Sequence, residues 1–154
     1  MDNTEIHIIG FSAGGAVAVK FITSEKKKIK SLMLLATPAD ISQIIPDNAE
    51  IMVRHFRELG LIKDTGFPRD IDSWYKGFSL LKAENLIRWL PQGLPVCIVH
   101  GDRDTVVPVS HAERIYQAAP HPKKIIILEG APHQLRKDDR IAGIILIWLR
   151  EQKT

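Results

Sequence analysis

Short, nearly continuous apolar runs alternate with stretches of helical period along most of this chain. The runs are Ile6-His7-Ile8-Ile9, Ser31-Leu32-Met33-Leu34-Leu35-Ala36, Val96-Cys97-Ile98-Val99 and Ile125-Ile126-Ile127-Leu128. So little polar alternation predicts strands covered on both faces, as in a parallel sheet. The expected strands are Thr4 to Ile9, Ser31 to Ala36, one that Pro95 starts, and Ile125 to Leu128. Helical spacing runs from Ala13 to Ser24 and from Ser110 to Ala118 or Ala119, the latter bracketed by Pro108 and Pro120. A last helix, from about Asp138 to Arg150, places Ile141, Ile144, Ile145, Trp148 and Leu149 on one face. Asp138 and Asp139 suit its N-terminus. Strands alternating with helices imply right-handed crossovers and an α/β architecture, a parallel sheet of about four strands flanked by helices.

The rhythm breaks between Ala39 and Leu90, where helical periods appear without a strand. Asp47 to Gly60 carries Ile51, Met52, Phe56 and Leu59 near helical spacing, with Asp47 as the expected cap and Gly60 as the expected stop. Asp70, Ile71, Asp72 and Ser73 open a second stretch that carries Trp74, Tyr75 and Phe78. A third runs from Leu80 or Lys82 to Trp89, and Pro91 ends it. No internal repeat or low-complexity tract is present, so residues 1–154 are expected to form a single domain.

Composition narrows the function classes. Apolar residues make up 45% and charged residues 25%, the balance of a globular domain with a real core. The net charge is +3, but the densest basic run, Glu25-Lys26-Lys27-Lys28-Ile29-Lys30, has no interleaved aromatics. It is expected to be a solvated connection, and nucleic-acid binding is not expected. The single cysteine, Cys97, lies inside an apolar strand pattern and is expected to be a buried small hydrophobe. His7 is expected to pack within its strand, and His55, His111 and His121 to lie on surfaces or loops. Their spacing does not suggest zinc ligation, so neither a metal nor another cofactor is expected. With no signal peptide and no apolar run long enough to span a bilayer, a cytoplasmic location is expected.

Candidate chemistry sits at the ends of three strands. Gly10-Phe11-Ser12-Ala13-Gly14-Gly15 joins the first strand to the first helix, the context in which G-x-S-x-G has mechanical meaning. Ser12 must then occupy a left-handed backbone conformation, with small residues at positions 10 and 14 letting strand and helix approach. The turn also aims the Ala13 N–H, at the helix N-terminus, toward an oxygen that becomes negative nearby. His100-Gly101-Asp102-Arg103-Asp104 follows the third strand, and Glu129-Gly130-Ala131-Pro132-His133 follows the fourth. Serine, then aspartate, then histidine, each just after a strand, is an arrangement suited to acyl transfer.

Through G-F-S-A-G-G, H-G-D-R-D-T-V-V-P and E-G-A-P-H, the chain resembles an α/β-hydrolase of the esterase/lipase type, from about Ile6 to Leu149. The resemblance implies that Ser12 is the nucleophile, His133 the base and then the acid, and Asp104 the orienting carboxylate. It assigns Asp104 rather than Asp102 to that role, leaving Asp102 to bond within its own loop, and makes His100 structural. It implies a truncated α/β-hydrolase with residues 39–90 as a helical cap inserted after the second strand. Phe11, Trp74, Tyr75 and Phe78 are candidate substrate-binding residues, with core packing as the other explanation for the last three. Thr37-Pro38 is expected to border the pocket.

Only nine residues precede Gly10, so the resemblance implies the C-terminal half of the fold. The N-terminal half usually supplies the second oxyanion N–H. The leading reading is therefore a serine hydrolase of carboxylic esters or related acyl bonds. The alternative is a weak or inactive fragment that serves as a binding or assembly module. In either case residues 5–9 would form an apolar sheet edge, which predicts cover by a second copy in a homodimer or by another partner.

Overall fold

The computed structural model describes residues 5–24 and 28–153. Four strands, β1 (Ile6–Phe11), β2 (Ile29–Leu35), β3 (Val96–Gly101) and β4 (Lys123–Leu128), pair in parallel in the order β1-β2-β3-β4. Thr4, the expected start of the first strand, lies outside the described residues. So do residues 25–27, which begin the lysine-rich connection, while Lys28 is exposed and Lys30 already belongs to β2. Strand side chains alternate between two cores, which is why the apolar runs are nearly continuous. Leu32 and Leu34 of β2 and Val96 and Ile98 of β3 face one core, while Met33, Leu35, Cys97 and Val99 face the other.

Helices α1 (Ala13–Ser24), α4 (Ala83–Leu86) and α5 (Ser110–Ala118) cover the first face with Val19, Ala83 and Ile115. Helix α6 (Arg140–Glu151) covers the second with Ile141 and Trp148. Full burial of side chains of this size contributes about 1.5–3 kcal/mol each, so these two faces dominate the stability. Burial raises the Cys97 thiol to about 11, which keeps it a protonated packing group.

The segment between β2 and β3 divides. Helix α4 and the 3₁₀ turn that follows it, Ile87–Trp89, pack within the first core. Helices α2 (Ala49–Glu58) and α3 (Ile71–Ser79) pack on each other through an aromatic cluster. In it, Trp74 stacks on Phe78 at 5.8 Å and meets Phe56 edge-on at 6.1 Å. Asn48 rather than Asp47 caps α2, its side chain accepting from the Ile51 N–H at 2.9 Å. Asp70 caps α3 in the same way through Ser73. At α6, Asp138 accepts from the Arg140 N–H and guanidinium instead of acting as a helix cap.

Histidine 111 departs from expectation. It is 5% exposed, because α5 carries it inward to accept the Ala39 N–H on Nδ1 at 3.1 Å. Ala39 lies just past β2, so this bond ties the start of the inserted segment to α5. At the sheet margin, β1 pairs with β2 alone among the described residues, and Ile6 and Ile9 are exposed. No helix among the described residues is long and apolar enough to cross a membrane.

Strand β1 and helix α1 approach through Gly10 and Gly15. A Cβ on Gly10 would lie 2.5 Å from Gly15 Cα, and one on Gly15 would overlap the Thr37 side chain. Gly14, the expected contact position, instead has open space where its side chain would be. Thr37 is accordingly buried beneath Gly15.

Gly15→Ala is expected to destabilise the fold by about 1–3 kcal/mol through overpacking, and Gly14→Ala to leave stability unchanged or slightly raised. Urea denaturation of the two variants measures the contrast; equal effects would contradict this packing. A second expectation concerns pH. Burial pushes His100 and His111 below the ordinary imidazole value of 6.5. The unfolded chain therefore binds more protons as pH falls, so stability is full above about pH 6.5 and declines below it. Thermal melts from about pH 8 to about pH 5 should show this decline. His111→Asn, which keeps an acceptor for Ala39 without titrating, should flatten it, and an unchanged slope would contradict the assignment.

Candidate active site

The loops that matter leave the C-terminal ends of β1, β3 and β4. After β1 the chain turns so sharply that Ser12 takes φ = 51°, a left-handed conformation costing about 1–3 kcal/mol for a residue with a side chain. The Ser12 N–H is pinned to the Leu35 carbonyl of β2 at 2.8 Å, and the Gly15 N–H to the Ser12 carbonyl at 2.9 Å. Ala13 opens α1, where a backbone N–H has no intrahelical acceptor.

The loops after β3 and β4 lie side by side because their strands are neighbours, and they are laced together. Asp102 N–H donates to the Leu128 carbonyl at 3.2 Å, and Arg103 N–H to the Ala131 carbonyl at 3.1 Å. Asp102 accepts the Gly130 N–H at 2.7 Å, a bond across the loops where one within its own loop was expected. Gly130 has φ = 73°, so the turn presenting His133 depends on a residue without a Cβ. Gly101 is equally constrained, since a Cβ there would overlap the Ala131 carbonyl oxygen.

This lacing brings three distant side chains into one hydrogen-bonded chain. His133 Nδ1–H donates to Asp104 Oδ2 at 2.7 Å, and Ser12 Oγ–H faces His133 Nε2 at 3.1 Å. A carboxylate only accepts, which fixes the tautomer: Nδ1 carries the proton and Nε2 is free to receive one. Asp104 is held from its other side as well, with Oδ1 accepting the Val106 and Val107 N–H groups at 2.9 and 2.8 Å. His100 Nε2–H donates to the Val107 carbonyl at 2.8 Å and lies 3.3 Å from Asp104 Oδ2. Burial pushes His100 below the ordinary imidazole value and favours its neutral form, so its contact with Asp104 is not an ion pair. Phe11 packs against the His133 ring, with centroids 5.3 Å apart.

Ser12 and His133 open into a cleft of about 1350 Å³. Phe11 and Ala13 line it beside the serine, and Ile41, Ile44, Ile45 and Phe78 line it from the inserted segment. Of the four aromatic residues expected at the substrate, Phe11 and Phe78 line this cleft, and Trp74 and Tyr75 do not. Trp74 stays in the α2–α3 aromatic cluster, and Tyr75 donates its hydroxyl to the Pro46 carbonyl at 2.8 Å. Arg54, His55, Glu58, Gln134 and Arg136 also reach the cleft, none of them a site residue expected from the sequence. Gln134 and Arg136, so close behind His133, were the ones that loop position could have suggested. Among the described residues no group of three His, Cys, Asp or Glu could hold a metal ion.

Comparison with known proteins bears on the fold and the family. No curated protein matches the chain. Among solved structures, the esterase domain of a Rhodothermus marinus protein is 19% identical with a TM-score of 0.63, matched over 94% of this chain and 59% of its own. A monoacylglycerol lipase from Paleococcus ferrophilus is 18% identical with a TM-score of 0.65, over 96% of this chain and 69% of its own. A thermophilic esterase from Thermogutta terrifontis is 19% identical with a TM-score of 0.67, over 97% and 66%. The chain thus spans between 59% and 69% of the length of these three structures, and at such identities the likeness is one of fold. The four-stranded sheet with its flanking helices is a truncated α/β-hydrolase fold. The model of the prolyl oligopeptidase family matches residues 1–144. Sheet, flanking helices and this near-complete match together make the chain a member of the prolyl oligopeptidase family, within the α/β-hydrolase superfamily.

Proposed function

We propose that the chain is a serine hydrolase that cleaves a carboxylic ester or a related acyl bond. The observation carrying this reading is the unbroken hydrogen-bond chain from Ser12 through His133 to Asp104. In this mechanism Ser12 Oγ attacks the acyl carbon while its proton passes to His133 Nε2. The imidazolium that forms is stabilised by the Asp104 carboxylate, which the Val106 and Val107 N–H groups hold in place. The Ala13 N–H donates to the developing oxyanion. The bond to the alcohol breaks, and the alcohol leaves with the proton from His133. Water, giving its proton to the same nitrogen, then releases the acid from Ser12. The esterase and lipase named among the similar structures support an acyl substrate.

A second reading, a binding or assembly module without turnover, draws on one fact. The similar structures extend beyond this chain by about a third of their length or more.

The two readings separate on 4-nitrophenyl acetate. The purified chain is expected to hydrolyse it, and Ser12→Ala to reduce the rate to background. Asp104→Asn, which accepts less strongly and favours the wrong histidine tautomer, should lower kcat by about 10⁴-fold. Hydrolysis that survives Ser12→Ala would contradict the proposal, and a chain inert from the outset would favour the binding module.

A further inference from the structure

Large apolar side chains left in water call for an explanation when they gather around one opening. Four gather around the Ser12 cleft: Ile51 is 45% exposed, Leu59 58%, Leu61 67% and Val106 52%. Ile51 belongs to α2, Leu59 and Leu61 to its end and the turn beyond, and Val106 to the loop that carries Asp104. None of them contributes to either core of the sheet. The fold therefore gains nothing evident from keeping them apolar. They continue the apolar wall that Ile44, Ile45 and Phe78 form deeper in the same cleft. At about 1350 Å³ the cleft also exceeds the roughly 300–1,000 Å³ usual for a small compact ligand.

The apolar lining is concentrated on one side of Ser12, in residues 41–61 and Phe78, a stretch that also brings Gln43, Arg54, His55 and Glu58 to the cleft. The leaving alcohol takes its proton from His133, so it departs on the side of the His133 loop, which contributes Gln134 and Arg136. The apolar wall, built from residues 41–61 with Phe78, is left for the acyl part. Arg54, His55 and Glu58 stay exposed on α2.

Resting on the serine hydrolase reading, the geometry points to a substrate whose acyl group is an extended apolar chain, laid against Ile51, Leu59 and Leu61. Full burial of a methylene tightens binding by about fourfold. In an open cleft a smaller gain per carbon is expected.

The experiment is a series of 4-nitrophenyl esters from acetate to decanoate, hydrolysed by the purified chain. The expected result is a rise in kcat/KM of at least ~10-fold from acetate to octanoate, carried mainly by KM. Leu61→Asp and Leu59→Asp should pull the octanoate-to-acetate ratio back toward unity. Leu146→Asp, at a 55% exposed leucine of α6 that does not line the cleft, should leave the ratio where it was. Acetate turnover with a flat or falling series would overturn the inference and leave the Ser12 mechanism standing. If no ester is turned over, titration of the Ser12→Ala chain with decanoate decides the question by calorimetry. Saturable binding weakened by Leu61→Asp supports the apolar subsite, and absence of binding overturns it.

Discussion

Three N–H groups donate to the carboxylate of Asp104, two from the backbone of its own loop and one from His133, and buried His100 lies beside it. A buried carboxylate without such partners would be too costly to keep. With them it becomes a rigid acceptor that orients the His133 ring, and the ring in turn sets the position available to Ser12 Oγ. The rest of the structure can be understood as what is needed to bring these donors together. Parallel pairing of β3 with β4 sets their C-terminal loops side by side, and Asp102, Gly101 and Gly130 lock one loop onto the other. Breaking that lacing would displace the histidine without changing Ser12, Asp104 or His133 itself.

Ser12 is delivered by a different kind of constraint. Its left-handed backbone is unfavourable by itself and persists because its neighbours leave no alternative. The Leu35 carbonyl holds its N–H, and Gly10, Gly15 and Thr37 are packed so closely that strand and helix meet at a fixed angle. The hydroxyl is thereby raised above the end of the sheet, at the floor of a cleft whose walls come from the segment between β2 and β3. That segment has two parts with different physical roles. Helix α4 is embedded in the core, while α2 and α3 hold each other through aromatic contacts and frame the opening.

Most of the fold was legible because strands buried on both faces leave near-continuous apolar runs, and β2 and β3 have such runs. The meeting of Ser12, Asp104 and His133 was legible as well, since each follows a strand and parallel strands deliver their following loops to one end of the sheet. What escaped the sequence depends on contacts between distant residues. Nothing local distinguishes Gly15, pressed against Thr37, from Gly14, which opens on the cleft. Asp102 looked like an ordinary turn aspartate because its partner, Gly130, lies on another loop. His111 sits in a helix with polar neighbours, and only the arrival of Ala39 beside it explains its burial. Trp74 and Tyr75 have the chemistry of substrate-binding residues, but the aromatic cluster and the Pro46 carbonyl already engage them.

The central claim is that the Ser12 hydroxyl is made nucleophilic by a histidine held in one orientation and one tautomer. Reaction of the intact chain with a fluorophosphonate, followed by mass spectrometric mapping of the adduct, tests it most directly. A single adduct on Ser12 that disappears in His133→Ala is the result the account predicts. No adduct, or one that forms equally well without the imidazole, would contradict it.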